Sequence, residues 1–318
     1  MDLANAQPRP ATGRPPNERA SAGTLSTPLA ILAAMRPRQW TKNLLCGAAL
    51  VMANRLADRV ADARMLVCIL LFCALSGVIY LVNDSLDVER DRIHPTKRFR
   101  PIASGRLPIR VAQGAALVIG VLSLALSLLL GLPFFVAALC FMALQFGYVF
   151  YLKHEVLLDV FAIALGYVIR AAAGAVAIRV EISVWLYLCT ILGGLFLALG
   201  KRRGELIELE DLAVTHRRNL GQYTVALVDQ LITIVSASTI VAYSLYTFTA
   251  PNLPRNGLMM ITVPFAIYGL FRYLYLVHQH GQGGSPEEVL LHDRPLQVCI
   301  VLWAVIAIVV VSGFGHAA

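Results

Sequence analysis

Residues 83–91 read Asn83-Asp84-Ser85-Leu86-Asp87-Val88-Glu89-Arg90-Asp91 and join a long apolar run to a basic segment. An α-helix completes a turn every ~3.6 residues, so Asn83, Asp87 and Asp91 are predicted to lie along one face, with Asp84 beside Asp87 and Glu89 turned away. Carboxylates that share a face repel one another. The spacing therefore predicts a site for a cation; the alternative is a solvated helix end whose acids pair with the neighbouring arginines.

Magnesium is the cation that suits this set of ligands. Mg²⁺ favours oxygen ligands, takes one or two carboxylates in proteins and leaves room for waters and substrate phosphates. Pro95 is predicted to end the helix at His94 and to return Lys97, Arg98 and Arg100 toward the carboxylates. A Mg²⁺-bound pyrophosphate requires such a pair of surfaces, acidic on the metal side and basic on the other. We therefore predict a metal site with four ligand residues, Asn83, Asp84, Asp87 and Asp91.

The composition of the chain is that of a membrane protein. Hydrophobic residues make up 58% of the 318 residues and charged residues only 14%, far from the usage of soluble domains. A transmembrane helix needs about 20 apolar residues. Nucleic acid is not expected as a partner, because the net charge of +8 comes from basic loops between apolar runs. These runs predict an all-α, polytopic bundle of about nine transmembrane helices, at about 40–55, 65–83, 111–131, 133–152, 156–177, 183–200, 225–249, 257–277 and 296–314.

The N-terminal residues differ from the rest of the chain. Residues 1–28 are rich in Pro, Ala, Ser and Arg without an apolar core of signal-peptide length, so we predict a disordered tail and one membrane-embedded domain over residues 29–318. Lys and Arg number six in residues 1–43, seven in residues 84–110 and five in residues 201–222, against five in the opposite loops. Basic loops stay in the cytoplasm. We therefore predict a multi-pass protein of the cell membrane, with its N terminus and long loops cytoplasmic and its C terminus on the opposite side.

The acidic stretch and the basic segment together resemble a family signature. The pattern is Asn83-Asp84-x-x-Asp87-x-x-x-Asp91, followed by Lys97-Arg98-x-Arg100-Pro101-Ile102-x-Ser104-Gly105. It is similar to the signature of the UbiA superfamily of intramembrane prenyltransferases, and the resemblance covers everything after the N-terminal tail. Members of that superfamily use the acidic motif to hold Mg²⁺ on a pyrophosphate within a helical bundle open to lipid. The resemblance implies the same fold and the same cofactor here.

The loop after the sixth predicted helix narrows the resemblance. Typical aromatic prenyltransferases of the superfamily carry a second Asp-rich motif there, whereas this chain reads Gly200-Lys201-Arg202-Arg203-Gly204-Glu205-Leu206. That run is similar to the decaprenyl-phosphate phosphoribosyltransferase branch, as is Arg36-Pro37-Arg38-Gln39-Trp40-x-Lys42-Asn43. The resemblance implies phosphoribosyl pyrophosphate as the donor and a polyprenyl phosphate as the acceptor.

The distribution of cations agrees with two phosphorylated substrates. Phosphoribosyl pyrophosphate carries a 5-phosphate besides its pyrophosphate, and the lipid acceptor brings a phosphate of its own. This reaction therefore needs more cationic side chains than prenyl transfer to a neutral aromatic acceptor. Asn83 and Glu205 are also predicted to contact the donor. The cations predicted to contact phosphate or ribose are Lys42, Lys97, Arg98, Lys153, Lys201 and Arg202.

Arg170 is the most informative residue outside the loops, because it lies within the apolar run 161–177. A charge at that depth is costly and usually faces the interior of the bundle or a wet cavity. We predict a substrate contact for Arg170. The alternative is a buried structural pair with Asp159, three turns closer to the start of the same helix.

These observations combine into one hypothesis, an integral-membrane and Mg²⁺-dependent transferase that moves 5-phosphoribose to a polyprenyl phosphate and releases pyrophosphate. Asp87 and Asp91 would hold the metal on the donor, and Lys201 would neutralise donor charge. The acceptor phosphate is already anionic near neutral pH, so no catalytic histidine is required. Two alternatives stay open: prenyl transfer from a prenyl pyrophosphate to an aromatic or tetrapyrrole acceptor, and, in a different class, a transporter or lipid-binding scaffold.

Overall fold

A computed structural model describes residues 26–181, 184–210, 222–250, 253–254, 256–279, 289 and 292–314. Within these ranges the chain folds into helices, as the apolar runs predicted. We label the α-helices in chain order as α1 Thr27–Ala34, α2 Ala48–Met52, α3 Arg59–Leu86, α4 Val88–Ile93, α5 Ile109–Ser127, α6 Leu132–Phe150, α7 Leu158–Ala177, α8 Val184–Glu210, α9 Val225–Thr249, α10 Val263–Gln279 and α11 Arg294–Phe314.

Seven helices in the described ranges are long and apolar enough to cross a membrane, by length and composition. They are α3, α5, α6, α7, α9, α10 and α11, with 3-10 turns at Leu128–Leu130 and Leu258–Thr262 extending α5 and α10. The all-α, multi-pass architecture is confirmed, whereas the number of nine transmembrane helices is not. The two other predicted spans correspond to α8, which ends in charged residues, and to a segment near residue 40 that is not a single α-helix.

The first predicted span, at about 40–55, has an unexpected backbone. Pro37–Gly47 forms a 3-10 helix of 11 residues, and only the 5 residues of α2 that follow are α-helical. A 3-10 helix rises about 2.0 Å per residue and an α-helix about 1.5 Å, so the two pieces together extend roughly 30 Å, the thickness of a bilayer core. This 3-10 segment lies against α3 and α7.

Close contact with α7 explains where the 3-10 segment lies. A Cβ atom added to Gly174 of α7 would meet the backbone oxygen of Cys46 at 1.9 Å. Glycine is required there because any other side chain would overlap this carbonyl. On the α3 side, the Met35 side chain fills the space beside Gly77, where an added Cβ atom would lie 2.4 Å from it. Small residues on both helices thus allow the segment to enter the bundle.

Apolar side chains divide between the interior of the bundle and its outer surface. In the interior, the ring of Phe72 lies 5.0 Å from that of Phe141 and 6.0 Å from that of Phe134, measured between centroids. On the outside, α5 exposes large apolar residues such as Leu117 and Val121. Continuous exposed apolar surface on a helix marks contact with lipid or a partner. The bundle therefore presents the surface that a bilayer requires.

The predicted tail, residues 1–28, falls mostly outside the described residues. Within the described part, α1 already begins at Thr27 and has Pro28 in its first turn, where proline is tolerated. All other helices belong to the predicted membrane domain, residues 29–318. The division of the chain near residue 28 stays a prediction.

Candidate active site

The acidic stretch lies where α3 meets α4. α3 ends at Leu86, and Asp87 forms the junction between the two helices. Helical hydrogen bonding continues across this junction, because the Asp87 N–H donates to the Asn83 carbonyl at 2.9 Å and the Asp91 N–H donates to the Asp87 carbonyl at 2.9 Å. The predicted common face is therefore kept although the helix is divided. α4 ends before His94, as Pro95 predicted.

Two of the carboxylates are buried and share one guanidinium group. Asp84 is 2% exposed and Asp91 is 4% exposed. Nη1 of Arg100 donates to Oδ2 of Asp91 at 2.6 Å and to Oδ1 of Asp84 at 3.3 Å. Buried carboxylates need a positive partner, because an isolated charge away from water is strongly disfavoured. The predicted return of the basic segment to the carboxylates is confirmed for Arg100.

These carboxylates fit a magnesium ion. Oδ2 of Asp91 and Oδ1 of Asp84 face one nitrogen atom of Arg100, at 2.6 and 3.3 Å. Mg²⁺ binds oxygen at about 2.0–2.1 Å, so the two carboxylates would have to move closer together to share the ion. Among the residues that the structure describes, no three acidic, histidine or cysteine side chains converge into a complete metal site. Mg²⁺ usually takes one or two protein carboxylates and completes its octahedron with waters and substrate phosphates. The donor set therefore suits Mg²⁺ bound together with a phosphorylated ligand.

The other two predicted metal ligands lie on the same stretch but make different contacts. Asp87 is half-buried, and Nζ of Lys153 lies 3.7 Å from its Oδ2 atom. Asn83 is also half-buried. Lys153 comes from the 3-10 turn Leu152–His154 between α6 and α7, and its side chain is largely buried. An ammonium group placed this way provides a cation for a phosphate bound near Asp87.

Arg36 is a second arginine that contacts the acidic stretch. The sequence pattern did not identify it as a site residue. Its Nη2 donates to Oδ1 of Asp84 at 2.5 Å, and its guanidinium lies 4.7 Å from the centroid of the Tyr80 ring. The backbone of Arg36 has φ 55°, a left-handed conformation that is uncommon for any residue with a side chain. This residue turns the chain from α1 into the 3-10 segment. The basic cluster around Trp40 was the signal that marked this region.

The remaining lysines and arginines that were predicted to contact phosphate differ in how exposed their side chains are. Lys42 on the 3-10 segment and Lys97 after α4 are half-buried. Arg98 is exposed, with its guanidinium 4.8 Å from the centroid of the Phe99 ring. Lys201 is half-buried on α8. Contact of these four side chains with phosphate stays a prediction.

Arg202 and Glu205 contact each other near the end of α8. Arg202 is fully buried, and its guanidinium also contacts Asp159 and the hydroxyl group of Tyr148. Its charge is therefore balanced within the protein. Residues 200–206, predicted as a loop after the sixth helix, are helical, because α8 continues to Glu210. The role of Arg202 and Glu205 in substrate binding stays a prediction, and residues 211–221 lie outside the described residues.

Arg170 lies inside the bundle between α7, α3 and the 3-10 segment. Its Nε donates to Oδ1 of Asn43 at 2.8 Å, its Nη1 donates to the Gly166 carbonyl at 2.9 Å, and its Nη2 donates to Oγ of Ser76 at 3.4 Å. The guanidinium also lies 4.6 Å from the centroid of the Phe141 ring. These neutral partners satisfy the donors of Arg170 and join three elements of the bundle.

The alternative interpretation of Arg170 is wrong in its choice of partner. Asp159, which lies on the same helix, pairs with Arg202 of α8 instead. Arg170 faces the 3-10 segment, whose Asn43 is fully buried. The two charges of α7 therefore serve different regions, and the predicted substrate contact of Arg170 stays a prediction.

Comparison with known proteins gives relatives over most of the chain. The model of the UbiA prenyltransferase family matches residues 44–292. Decaprenyl-phosphate phosphoribosyltransferase of Corynebacterium glutamicum is 37% identical over 282 residues, which cover 86% of this chain and 84% of that protein. The protein of the same name from Mycolicibacterium smegmatis is 37% identical over 288 residues, which cover 86% of this chain and 89% of that protein.

The fold also matches a solved structure. A UbiA homologue from Archaeoglobus fulgidus bound to GPP and Mg²⁺ aligns with a TM-score of 0.70 and 18% identity, covering 89% of this chain and 99% of that chain. At this identity the likeness shows the fold alone. The family match and the relatives above carry the assignment further, and the chain belongs to the UbiA prenyltransferase family.

Proposed function

We propose that this protein is a Mg²⁺-dependent transferase that moves 5-phosphoribose from phosphoribosyl pyrophosphate to a decaprenyl-type polyprenyl phosphate and releases pyrophosphate. One observation carries the proposal: the buried acids Asp84 and Asp91 meet Arg100, and Lys153 stands beside Asp87. Groups that can hold a metal thus face groups that can hold phosphates. The relatives named decaprenyl-phosphate phosphoribosyltransferase support transfer of a phosphoribosyl group to this class of lipid.

The reaction exchanges one bond at the anomeric carbon of the ribose for another. The bond to pyrophosphate breaks, the pyrophosphate leaves with the electron pair, and an oxygen of the acceptor phosphate forms the new bond. Mg²⁺ bound at the acidic stretch would supply neutralisation of the charge on the leaving group. Asp84, Asp87 and Asp91 would hold and orient that metal, and Lys153 and Arg100 would contact donor phosphate oxygens. The acceptor oxygen is already anionic, so no side chain has to remove a proton.

Arg100 occupies the carboxylates that the metal would use. A guanidinium and a divalent cation compete for the same oxygen atoms, so binding of a Mg²⁺-bound donor would release Arg100 from Asp84 and Asp91. The released side chain would then be free to donate two hydrogen bonds to a donor phosphate. Arg100 would thus pair with the acids before the donor binds and with a phosphate afterwards.

Replacement of Arg100 by glutamine is expected to tighten Mg²⁺ binding in the absence of donor by about tenfold, because the competing cation is removed from Asp91, while Arg36 stays paired with Asp84. The measurement is a titration of purified protein with Mg²⁺ by calorimetry or with Mn²⁺ by electron paramagnetic resonance. Arg110→Gln is the matched control, since it removes the same charge from an exposed position at the start of α5. Equal affinities in the two variants would contradict the exchange of Arg100 for the metal.

The membrane supplies the second substrate. The outward apolar surface of the bundle suits a long polyprenyl chain that lies in the bilayer while its phosphate reaches the acidic stretch. Lys and Arg are concentrated in the segments that carry the site. We therefore place these segments and the N terminus in the cytoplasm, where a soluble sugar phosphate is available, and the C terminus on the opposite side of the cell membrane.

The test of this function uses purified protein, Mg²⁺, polyprenyl phosphate and phosphoribosyl pyrophosphate labelled in the ribose. Label is expected to enter the lipid phase only when Mg²⁺ and the acceptor are both present. Transfer from a prenyl pyrophosphate to an aromatic acceptor, with no labelled lipid, would support the alternative enzyme. Residues 200–206 favour the phosphoribosyl donor, because they carry Lys201 and lack a second Asp-rich motif. Binding of lipid without any transfer would support a transporter or scaffold.

A further inference from the structure

The connection between α6 and α7, residues 151–157, carries Lys153 to Asp87 and ends in a strained residue. Leu157 has φ 67° and ψ −41°, close to the γ-turn region that residues with side chains adopt rarely and at a cost. The residue is 42% exposed, so packing of the leucine does not account for this conformation. Its carbonyl accepts the Phe161 N–H at 3.0 Å at the start of α7, and its own N–H requires a further partner.

Tyr223, just before α9, supplies that contact. Its hydroxyl oxygen accepts the N–H of Leu157 at 2.7 Å, and its proton is donated to Oδ1 of Asp159 at 2.8 Å. Burial raises the pKa of Tyr223 to about 12, and the hydrogen bond to Asp159 acts in the same direction. The hydroxyl therefore remains a donor at neutral pH. One buried phenol thus links the strained residue to the first turn of α7.

Asp159 connects this hydroxyl to Arg202. Both side chains are fully buried, and Nε of Arg202 lies 2.7 Å from Oδ2 of Asp159 in an ion pair whose N–H direction falls outside hydrogen-bond geometry. Nη2 of the same guanidinium donates to the hydroxyl of Tyr148, near the end of α6, at 3.3 Å. The guanidinium therefore contacts both helices that the connection joins. We call Tyr223, Asp159 and Arg202 the brace.

Arg202 thus contacts Tyr148 on one side of the connection and Asp159 on the other. The connection between them determines where Lys153 lies. Its turn is closed by backbone hydrogen bonds from His154 N–H to the Tyr151 carbonyl at 3.0 Å and from Glu155 N–H to the Leu152 carbonyl at 3.2 Å. A change in φ at Leu157 would rotate this turn relative to α7. Because Lys153 is buried against Asp87, even a small rotation would separate the ammonium group from the acidic stretch.

We propose that Tyr223 and Asp159 are positioning residues, which hold Leu157 in its strained conformation and so keep Lys153 at Asp87 to receive a phosphate of the donor. The identity of the donor rests on the proposed function, whereas the brace rests on the contacts above. The strain separates this role from ordinary packing. A tyrosine that only stabilised the bundle would have no need of a positive-φ leucine as its partner.

The strain also provides the experiment, because glycine adopts positive φ without a steric penalty. Tyr223→Phe removes two hydrogen bonds, and loss of the one from the Leu157 N–H is expected to raise the KM for phosphoribosyl pyrophosphate by about tenfold, with a smaller change in kcat. Adding Leu157→Gly to this variant is expected to restore the KM, since the turn no longer needs the hydroxyl. Tyr187→Phe, at an exposed tyrosine of α8, is the control and should keep the wild-type KM.

Hydrogen exchange at the amides of His154 and Glu155 gives a second readout that needs no turnover. Tyr223→Phe is expected to accelerate it by about tenfold, and Leu157→Gly to reverse the change. If the wild-type protein transfers no phosphoribosyl group, the proposed function fails and exchange alone decides on the brace. Unchanged exchange, faster exchange with unchanged KM, or a defect that Leu157→Gly does not reverse would each overturn the brace. If Tyr223→Phe alone does not fold and the double variant with Leu157→Gly does, that result would support the brace.

Discussion

Replacement of Asp91 by asparagine is expected to abolish Mg²⁺-dependent phosphoribosyl transfer and to leave a folded membrane protein. Asparagine keeps the size of the side chain but removes the negative charge with which Asp91 is proposed to hold Mg²⁺. Asp91 is buried, and its Oδ2 atom lies 2.6 Å from Arg100, so its carboxylate is already fixed toward the basic side of the site. We expect kcat to fall by about a thousandfold, the scale on which loss of an electrostatic group lowers turnover.

The measurement is the initial rate of label transfer across a Mg²⁺ titration, with gel filtration and thermal unfolding as checks on the fold. Glu89→Gln is the matched control, because Glu89 also belongs to α4 but is 79% exposed and pairs with Arg92 at 2.9 Å. It should transfer label at the wild-type rate. If Asp91→Asn and Glu89→Gln turn over alike, Asp91 does not belong to the metal site. The same comparison applies to Asp87→Asn.

Local spacing was sufficient to predict the helical backbone of the acidic stretch. The helical period relates Asn83, Asp87 and Asp91 through residues that are close in sequence, and the backbone hydrogen bonds across the α3–α4 junction keep that relation. Pro95 likewise acts on its immediate neighbour, so the end of α4 was predictable. The multi-pass helical fold followed from composition, because a bilayer demands long apolar runs whatever their packing.

The partners of the charges could not be predicted in this way. Arg36 and Asp84 are 48 residues apart, and Arg170 and Asn43 are 127 residues apart. A single sequence shows that a buried charge needs a partner, but several residues satisfy that need equally well. Asp159 was the obvious candidate for Arg170 because both lie on α7. Because α8 packs against α7, Asp159 pairs with Arg202 instead.

The 3-10 segment marks another limit of sequence analysis. Hydropathy predicted a membrane span at about 40–55, and it cannot distinguish a 3-10 backbone from an α-helical one, because an average over a run of residues does not depend on the hydrogen-bond pattern. The geometry comes from contact with α7, where the Cys46 carbonyl lies against Gly174. The position of Arg36 beside Asp84 depends on this contact, since Arg36 directly precedes the segment.

Replacement of Gly174 by alanine is expected to unfold or displace the 3-10 segment. The new Cβ atom would lie 1.9 Å from the Cys46 backbone oxygen, a distance that a flexible side chain could relieve but a backbone carbonyl cannot. Ordinary overpacking of a core costs about 1–3 kcal/mol, and we expect the upper end of that range or more here. Displacement of the segment would also withdraw Asn43 from Arg170 and leave a buried charge without its nearest acceptor.

The measurement is the midpoint of thermal unfolding of the purified protein in detergent, together with the yield of monodisperse protein. Gly193→Ala is the matched control, because an added Cβ on that glycine of α8 meets nothing within 4 Å. It should be neutral or stabilising, since alanine favours a helix over glycine by about 1 kcal/mol. An unfolding midpoint of Gly174→Ala equal to that of Gly193→Ala would mean that the 3-10 segment does not approach α7 as closely as the structure shows. If Gly174→Ala lowers the unfolding midpoint and also loses phosphoribosyl transfer, the position of Arg36 at the site depends on the contact between Gly174 and the Cys46 carbonyl.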